Sequence, residues 1–393
     1  MSFPPAPSPP TGLCIYRVLS SRAGIRVSPI QLGGMSIGEK WGAAFGTMNK
    51  ESSFELLDAY FDMGRNFIDS ANNYQDGDSE RFIGEWAEQR GIREQLIIMT
   101  KYTMNYHGGN DHIKQKVNFV GNNAKSLQNS TTTSLKQLRT SYIDILYLHW
   151  WDWDTSLEEV MDSLHNLVLQ GKVLYLVRNS DTPAWVVAQA NQYVRDHGKT
   201  PFVIYQGHWN VMDRSFEREI IPMARSLGLA LAPWDVLCGE RLRTDEEEER
   251  RCTTGEKGRE SMVTQRWERS EEEKAMCNAL EVVTHEVSAK SITAVAIAYV
   301  MQKGPYVFPT IGGRKVEHLK ANIEALDITL TEENIAFLES ARPFDPGFPN
   351  NMIGDGSKYD FFGFVSTAQM VKQPVRQAIR PADVKRSLKD WRI

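Results

Sequence analysis

Cysteine is scarce in this 393-residue chain: Cys14, Cys238, Cys252 and Cys277 are its only thiols, and no two form a C-x-x-C pair. Such scattered thiols argue against a disulfide framework and a structural zinc site, and they fit a reducing, cytoplasmic compartment. The eight histidines contain no H-x-x-x-H pair, so no metal is expected. No apolar run approaches the ~18–20 residues that cross a bilayer. The Pro-rich stretch Met1 to Pro10 lacks the basic and apolar regions of a secretory signal and reads as an extended arm. Charge of one sign is missing too: a formal net charge of −5 leaves no footprint for nucleic acid or an anionic membrane. What is present is 41% hydrophobic and 24% charged residues, enough for a large globular core.

From Val27 onward, short apolar runs alternate with segments of helical period. Val27–Gly34, Asn66–Asp69, Leu96–Lys101, Ile143–His149, Val173–Val177, Phe202–Gln206, Leu229–Trp234 and Val307–Ile311 read as strands. Between and after them, Asn49–Met63, Ser79–Gln89, Asn122–Leu138, Ser156–Gln170, Ser215–Leu227, Ser291–Lys303 and Lys315–Leu326 read as helices. Gly171 is a glycine stop, and Thr182-Pro183 is expected to open a further helix as cap and first-turn residue. Eight strand–helix units, interrupted between Leu237 and Ser291, predict an α/β fold, a (β/α)8 barrel. Ile15–Leu19 and Gly24–Val27 are expected to form a hairpin closing the barrel floor. The whole chain reads as one domain, with a core over about 27–340 and a C-terminal extension, 343–393, that wraps the outside or overhangs the mouth. The acidic run Asp245–Glu249 reads as a solvated loop or helix end.

Four residues at or just beyond strand ends carry chemistry together: Asp69, Tyr74, Lys101 and His149. In a parallel sheet they converge at the C-terminal edge, and no common structural need calls for these four types at once. A phenol has a reference pKa of about 10 and is a sluggish acid at neutral pH. An ammonium ~4 Å away, at an effective dielectric of ~20, favours the phenolate by about 4 kcal/mol at most. Lys101 can therefore ease proton loss from Tyr74 if it stays charged, and Asp69 is its natural counter-ion. Neutral His149 can donate an N–H to a substrate oxygen. Such a set can protonate a carbonyl while another group delivers a hydride, and acid assistance of this kind is worth roughly 10²–10⁴ in rate.

The segment Phe67-Ile68-Asp69-Ser70-Ala71-Asn72-Asn73-Tyr74 resembles the F-x-D-x-A-x-x-Y block of the aldo-keto reductases. Ile98-Met99-Thr100-Lys101 is similar to their lysine strand, and Ser141 to Trp150 to their histidine strand. The resemblance extends from Val27 to Leu338 and lies nearest the fungal aryl-alcohol dehydrogenase branch, through Gly171 to Leu176, Ser180 to Trp185 and Ala232-Pro233-Trp234. It implies a barrel with NADPH across the mouth, Tyr74 as proton donor, Lys101 and Asp69 as its tuning pair, and His149 as orienter. It further implies that Ser180, Asp181 and Gln206 hold the nicotinamide carboxamide and that Trp234 stacks on its ring. Gly312, Gly313, Arg314, Lys315 and His318 match the segment for the adenosine 2′-phosphate, with Asn322 at the adenine. Two glycines at a helix start let backbone N–H groups approach an anion, and Arg314 and Lys315 add charge that favours NADPH over NADH.

One stretch departs from that branch. Val177-Arg178-Asn179 stands where the branch has Gly-Val, so an extra residue is expected to flip side-chain alternation or force a bulge. The mouth is expected to be aromatic: Trp150, Trp151 and Trp153 follow His149, and Trp41, Tyr102 and Tyr106 lie on neighbouring loops. Trp41, Tyr102 and Trp150 are the candidate substrate contacts. Flat walls suit an aryl aldehyde or its alcohol. The same residues would serve a larger polyketide or quinone-like ketone, and a binding or regulatory protein with little turnover is the rival from a different class.

Overall fold

The computed structural model describes residues 6, 9, 11–42, 48–178, 181–255, 259, 267–359, 361–381 and 383–384. A short antiparallel hairpin, β1 (Arg17–Ser20) and β2 (Ala23–Val27), comes first. Eight parallel strands follow: β3 (Gln31–Gly33), β4 (Phe67–Asp69), β5 (Ile97–Tyr102), β6 (Ile143–Leu148), β7 (Val173–Arg178), β8 (Phe202–His208), β9 (Ala230–Trp234) and β10 (Thr310–Ile311). Their order is β10-β3-β4-β5-β6-β7-β8-β9. The sheet closes on itself at the edge segment before β10, where Leu231 N–H donates to Tyr306 O at 2.9 Å and Phe308 N–H to Leu231 O at 2.8 Å. The expected (β/α)8 barrel is therefore present.

Both faces of the strands are buried, as a barrel enclosed by helices requires. Met99, Ile145, Tyr147, Val177, Ile204 and Ala232 fill the interior. Leu19, Ala23 and Val27 of the hairpin join that cluster and plug the floor. The alternate residues Ile98, Leu146, Leu148 and Leu176 face the helices. Those helices are α1 (Lys50–Asp62), α2 (Asp78–Arg90), α3 (Ala124–Gln137), α4 (Leu157–Leu169), α5 (Ala184–Asp196) and α6 (Phe216–Leu227), in alternation with strands β3 to β9. Asn49, Asn123 and Ser156 each accept a backbone N–H three residues on, capping orphan donors of the first turn. The expected cap at Thr182 is not formed: Pro183 occupies the cap position of α5 and makes no side-chain bond, so the helix starts one residue later.

The interruption after β9 holds two helices that periodicity did not single out, α7 (Asp245–Thr254) and α8 (Glu271–Glu286). The acidic run is the first turn of α7, where its carboxylates complement the helix dipole. Helices α9 (Ile292–Gln302), α10 (Val316–Ile323) and α11 (Glu332–Ala341) complete the ring. The tail wraps the outside. Arg218 of α6 donates to Pro346 O at 2.7 Å, Arg225 pairs with Asp355 at 2.9 Å, and Arg376 lies over the Tyr306 ring, 5.2 Å from its centroid, near the floor. Among the described residues no helix is long and apolar enough to cross a membrane.

Candidate active site

Strand register sets the heights of the polar groups at the barrel mouth. Asp69 pairs with Met99, and Lys101 pairs with Tyr147 one inward position higher. Lys101 therefore reaches down to Asp69. Its Nζ lies 2.8 Å from both Asp69 Oδ1 and Oδ2, donates to Ser70 O at 2.7 Å, and stands 3.3 Å from the Tyr74 hydroxyl. Tyr74 sits on the short turn Tyr74–Gly77 between β4 and α2. Gln75 and Asp76 there have φ of 53° and Gly77 of 95°, a left-handed run that folds the chain sharply back. The fold-back is braced by Gln75 Nε2 donating to Met35 O at 2.9 Å, and by the Ser70–Ser79 hydroxyl pair at 2.9 Å. His149 follows β6, and its ring centroid lies 5.9 Å from that of Tyr74 at 78°.

The electrostatics follow from burial. Burial works against the Lys101 ammonium, but Asp69 and Tyr74 more than offset it, so the lysine is held above its ordinary value and stays charged. Burial pushes Asp69 up, opposed by Lys101 and Gln206. With both its oxygens bonded to the ammonium, we read the pair as ionic. Burial also raises Tyr74, and Lys101 opposes that rise without reversing it. Lys101 thus eases proton loss from Tyr74 in the direction expected, but desolvation of the phenolate outweighs it. Burial and Lys101 together push His149 well below its usual range, so it is neutral near pH 7, and its Nδ1 is buried without a hydrogen-bond partner.

The aromatic candidates divide. Trp41 is 6.2 Å from Tyr74, edge to face. Gly38 lets the loop before Trp41 lie against the turn after Tyr74, because a Cβ there would lie 2.5 Å from Gln75 Cβ. Trp150 is exposed and stacks on His149 at 5.7 Å and 7°. Tyr102 is misassigned: inward Lys101 forces its neighbour outward, and Tyr102 is buried among Ile98, Leu127 and Leu148 behind the sheet. Trp151 packs against the same cluster, whereas Trp153 is exposed and lies 6.2 Å from Trp185. Tyr106 is buried, its hydroxyl 3.1 Å from that of Thr133.

The residues assigned to the cofactor spread over the other half of the mouth. Gln206 Nε2 stands 3.3 Å from Asp69 Oδ1 and 3.4 Å from Thr310 Oγ1. Trp234 ends β9, with the His208 ring 4.8 Å away. Asp181, at φ 58°, accepts the His208 N–H at 2.9 Å. Ser180 lies outside the described residues. The β7–β8 register shifts by one between Leu176 and Arg178, but β8 advances three residues while β7 advances two, so the surplus residue lies on β8 and not, as expected, in the Val177–Asn179 stretch. Arg314, Lys315 and His318 are exposed and Asn322 is buried. Lys315 occupies the cap position of α10 without a side-chain bond, and a Cβ on Gly312 would meet nothing within 4 Å. An uncapped helix start, open above and flanked by two cations, fits a phosphate. A stacking aromatic, an amide and an uncapped basic turn are thus what a dinucleotide needs, and they lie on β8, β9 and the turn after β10.

Sequence reasoning passed over Glu80, Thr100, Gln31 and Thr310. Thr100 donates to Glu80 Oε1 at 2.5 Å, and Thr310 donates to Gln31 Oε1 at 2.9 Å. Glu80 shares the buried stripe Glu80, Ile83, Gly84 and Ala87 of α2, and this i, i+3, i+4, i+7 spacing is the signal that marks it.

Residues 29–343 match the model of the aldo/keto reductase family. A protein of Phanerodontia chrysosporium named aryl-alcohol dehydrogenase, NADP(+), is 56% identical over 380 residues, 96% of this chain and 98% of the relative. Norsolorinic acid reductase A of Aspergillus parasiticus is 50% identical over 90% of this chain and 87% of its own. Aldo-keto reductase ausK of Emericella nidulans is 50% identical over the same shares, 90% and 87%. The barrel, the mouth and these relatives agree: the chain belongs to the aldo/keto reductase family and is an oxidoreductase of carbonyl and alcohol groups that works with a nicotinamide cofactor.

Proposed function

We propose that the protein reduces aromatic aldehydes to aryl alcohols, reversibly, with NADPH. The observation that carries this reading is the Tyr74 hydroxyl 3.3 Å from the buried Lys101 ammonium, with neutral His149 alongside and Trp41 and Trp150 on either side. The bound nicotinamide supplies the hydride. Tyr74 gives its proton to the carbonyl oxygen, and Lys101 stabilises the phenolate left behind. Asp69 keeps Lys101 charged. His149 donates an N–H to the same oxygen and fixes its direction. Trp234 would stack on the nicotinamide, Asp181 and Gln206 would meet its carboxamide, and Arg314 and Lys315 would take the 2′-phosphate, with His318 and Asn322 toward the adenosine. The relative named for NADP(+) supports that cofactor choice.

Trp41 and Trp150 offer flat apolar faces to an aryl ring. A larger polyketide-like ketone is the competing substrate, favoured by the relative named norsolorinic acid reductase A. A panel of ring-substituted benzaldehydes, aliphatic aldehydes and polycyclic aryl ketones, followed at the NADPH absorbance band, decides between them. We expect the benzaldehydes to have the highest kcat/KM, and a preference for the polycyclic ketones would overturn the choice. Tyr74→Phe is expected to bind NADPH but lose roughly 10²–10⁴ in turnover. Binding of NADPH without its oxidation by any member of the panel would favour a regulatory protein instead.

A further inference from the structure

Tyr74 and Lys101 are carried by different elements, so their 3.3 Å separation depends on how the turn before α2 is held against β5. Six residues after Tyr74, Glu80 points back from the first turn of α2 and is fully buried. One of its oxygens accepts the hydroxyl of Thr100, the residue next to Lys101, at 2.5 Å. The Ser134 hydroxyl of α3 also favours the charged carboxyl. The other oxygen, Oε2, is buried with no hydrogen-bond partner, as are Asn72 Oδ1, Asn73 Oδ1, Ser126 Oγ and Thr131 Oγ1. The Asn72 amide in turn donates to Ser130 Oγ at 3.2 Å, and the Asn72 N–H to Lys101 O at 3.1 Å. A fully buried carboxyl with one oxygen bonded to Thr100 and the other without a partner is a costly arrangement for a part with no task.

We propose that Glu80 is a positioning residue for the Tyr74–Lys101 pair: its buried carboxyl ties the helix that follows the tyrosine turn to the strand that carries the lysine. The inference rests on Tyr74 being the proton donor. The tie depends on charge, because a carboxylate accepts hydroxyl hydrogen bonds about twice as strongly as a neutral acid does. Burial lifts Glu80 to about 7, against the pull of Thr100, Ser134 and Lys101. The titratable groups that face it are Lys101 across the strand and the Tyr106 phenol on the following loop. Asp78 on its own helix is engaged with Arg81 at 2.6 Å, and α3 presents the hydroxyls of Ser126, Ser130 and Ser134. Below neutral pH Glu80 takes up a proton, the grip on Thr100 slackens, and Tyr74 and Lys101 lose register.

The test compares the full-length parent with Glu80→Gln, Thr100→Val and Tyr74→Phe. kcat and KM are measured from pH 5.5 to 9 at saturating NADPH with whichever carbonyl compound turns over best, and NADPH affinity is read from tryptophan fluorescence. In the parent, kcat should fall on the acid side of about pH 7. In Glu80→Gln that arm should vanish and kcat drop by roughly 10- to 100-fold, the upper figure being what a ~1 Å misplacement of reacting groups can cost, with NADPH affinity unchanged. Thr100→Val should move the arm to higher pH, because it removes a donor to the carboxylate, and it gives a reading if Glu80→Gln does not fold. A Glu80→Gln profile that overlays the parent, or a Thr100→Val arm that does not move, overturns the proposal. Tyr74→Phe with normal turnover would instead remove the proton donor, and the inference with it.

Discussion

Replacing Lys101 by methionine separates what the lysine does for catalysis from what it does for folding. Its side chain is 0% exposed and that of its partner Asp69 4%. At the observed 3.3 Å from the Tyr74 oxygen, a unit charge in an effective dielectric of ~20 stabilises the phenolate by roughly 5 kcal/mol at most. Without it the phenol, already raised by burial, becomes a still weaker acid, and kcat should fall by roughly 10²–10⁴. Asp69 would then be left a buried carboxylate without its counter-ion, still held by Gln206 at 3.3 Å, a change that typically costs about 3–5 kcal/mol of stability. Adding Asp69→Asn removes the stranded charge. The double variant should therefore recover much of the stability in urea unfolding while its kcat stays at the level of Lys101→Met. The assays are NADPH oxidation with a saturating benzaldehyde and equilibrium unfolding of the parent, the two single variants Lys101→Met and Asp69→Asn, and the double variant. Turnover in Lys101→Met within about threefold of the parent, well short of the loss expected from removing acid assistance, would refute the reasoning. So would recovery of kcat together with stability.

The aromatic assignments make opposite claims for two residues. Trp150→Ala should raise KM for benzaldehydes by about tenfold through loss of stacked area, while Tyr102→Phe, buried behind the sheet, should leave KM unchanged. A shift in KM from Tyr102→Phe would return that residue to the mouth. If the 2′-phosphate sits at the uncapped start of α10, Arg314→Ala combined with Lys315→Ala should lower the preference for NADPH over NADH by about tenfold or more, since each cation removed would weaken a phosphate contact. An unchanged preference in the ratio of kcat/KM values would place the 2′-phosphate elsewhere.

The order of strands and helices was legible because each obeys its own period and because Gly171 marks a helix end; the caps at Asn49, Asn123 and Ser156 show that the same end chemistry was there to be read. The acid, the ammonium and the imidazole were legible for a related reason. Parallel strands in a barrel bring every C-terminal end to one rim, so residues at strand ends must meet there. Side-chain direction was less secure. Tyr102 looked like a mouth residue by position, yet one step along a strand reverses the face. Helix α7 was missed because its acidic, weakly apolar segment carries little periodic signal, whereas α8 was overlooked although Met276, Leu280 and Val283 repeat at helical spacing behind a Ser270–Glu273 capping box.

The sequence by itself determined a barrel, a convergent set of Asp69, Tyr74, Lys101 and His149, and a basic turn before α10. Tertiary structure alone decided that burial outweighs the lysine at Tyr74, that Tyr102 turns away from the mouth, and that Glu80 lies behind the catalytic strand bonded to Thr100. The reason is physical: period and capping are written in neighbouring residues, whereas desolvation and long-range hydrogen bonds depend on atoms that only the folded chain brings together.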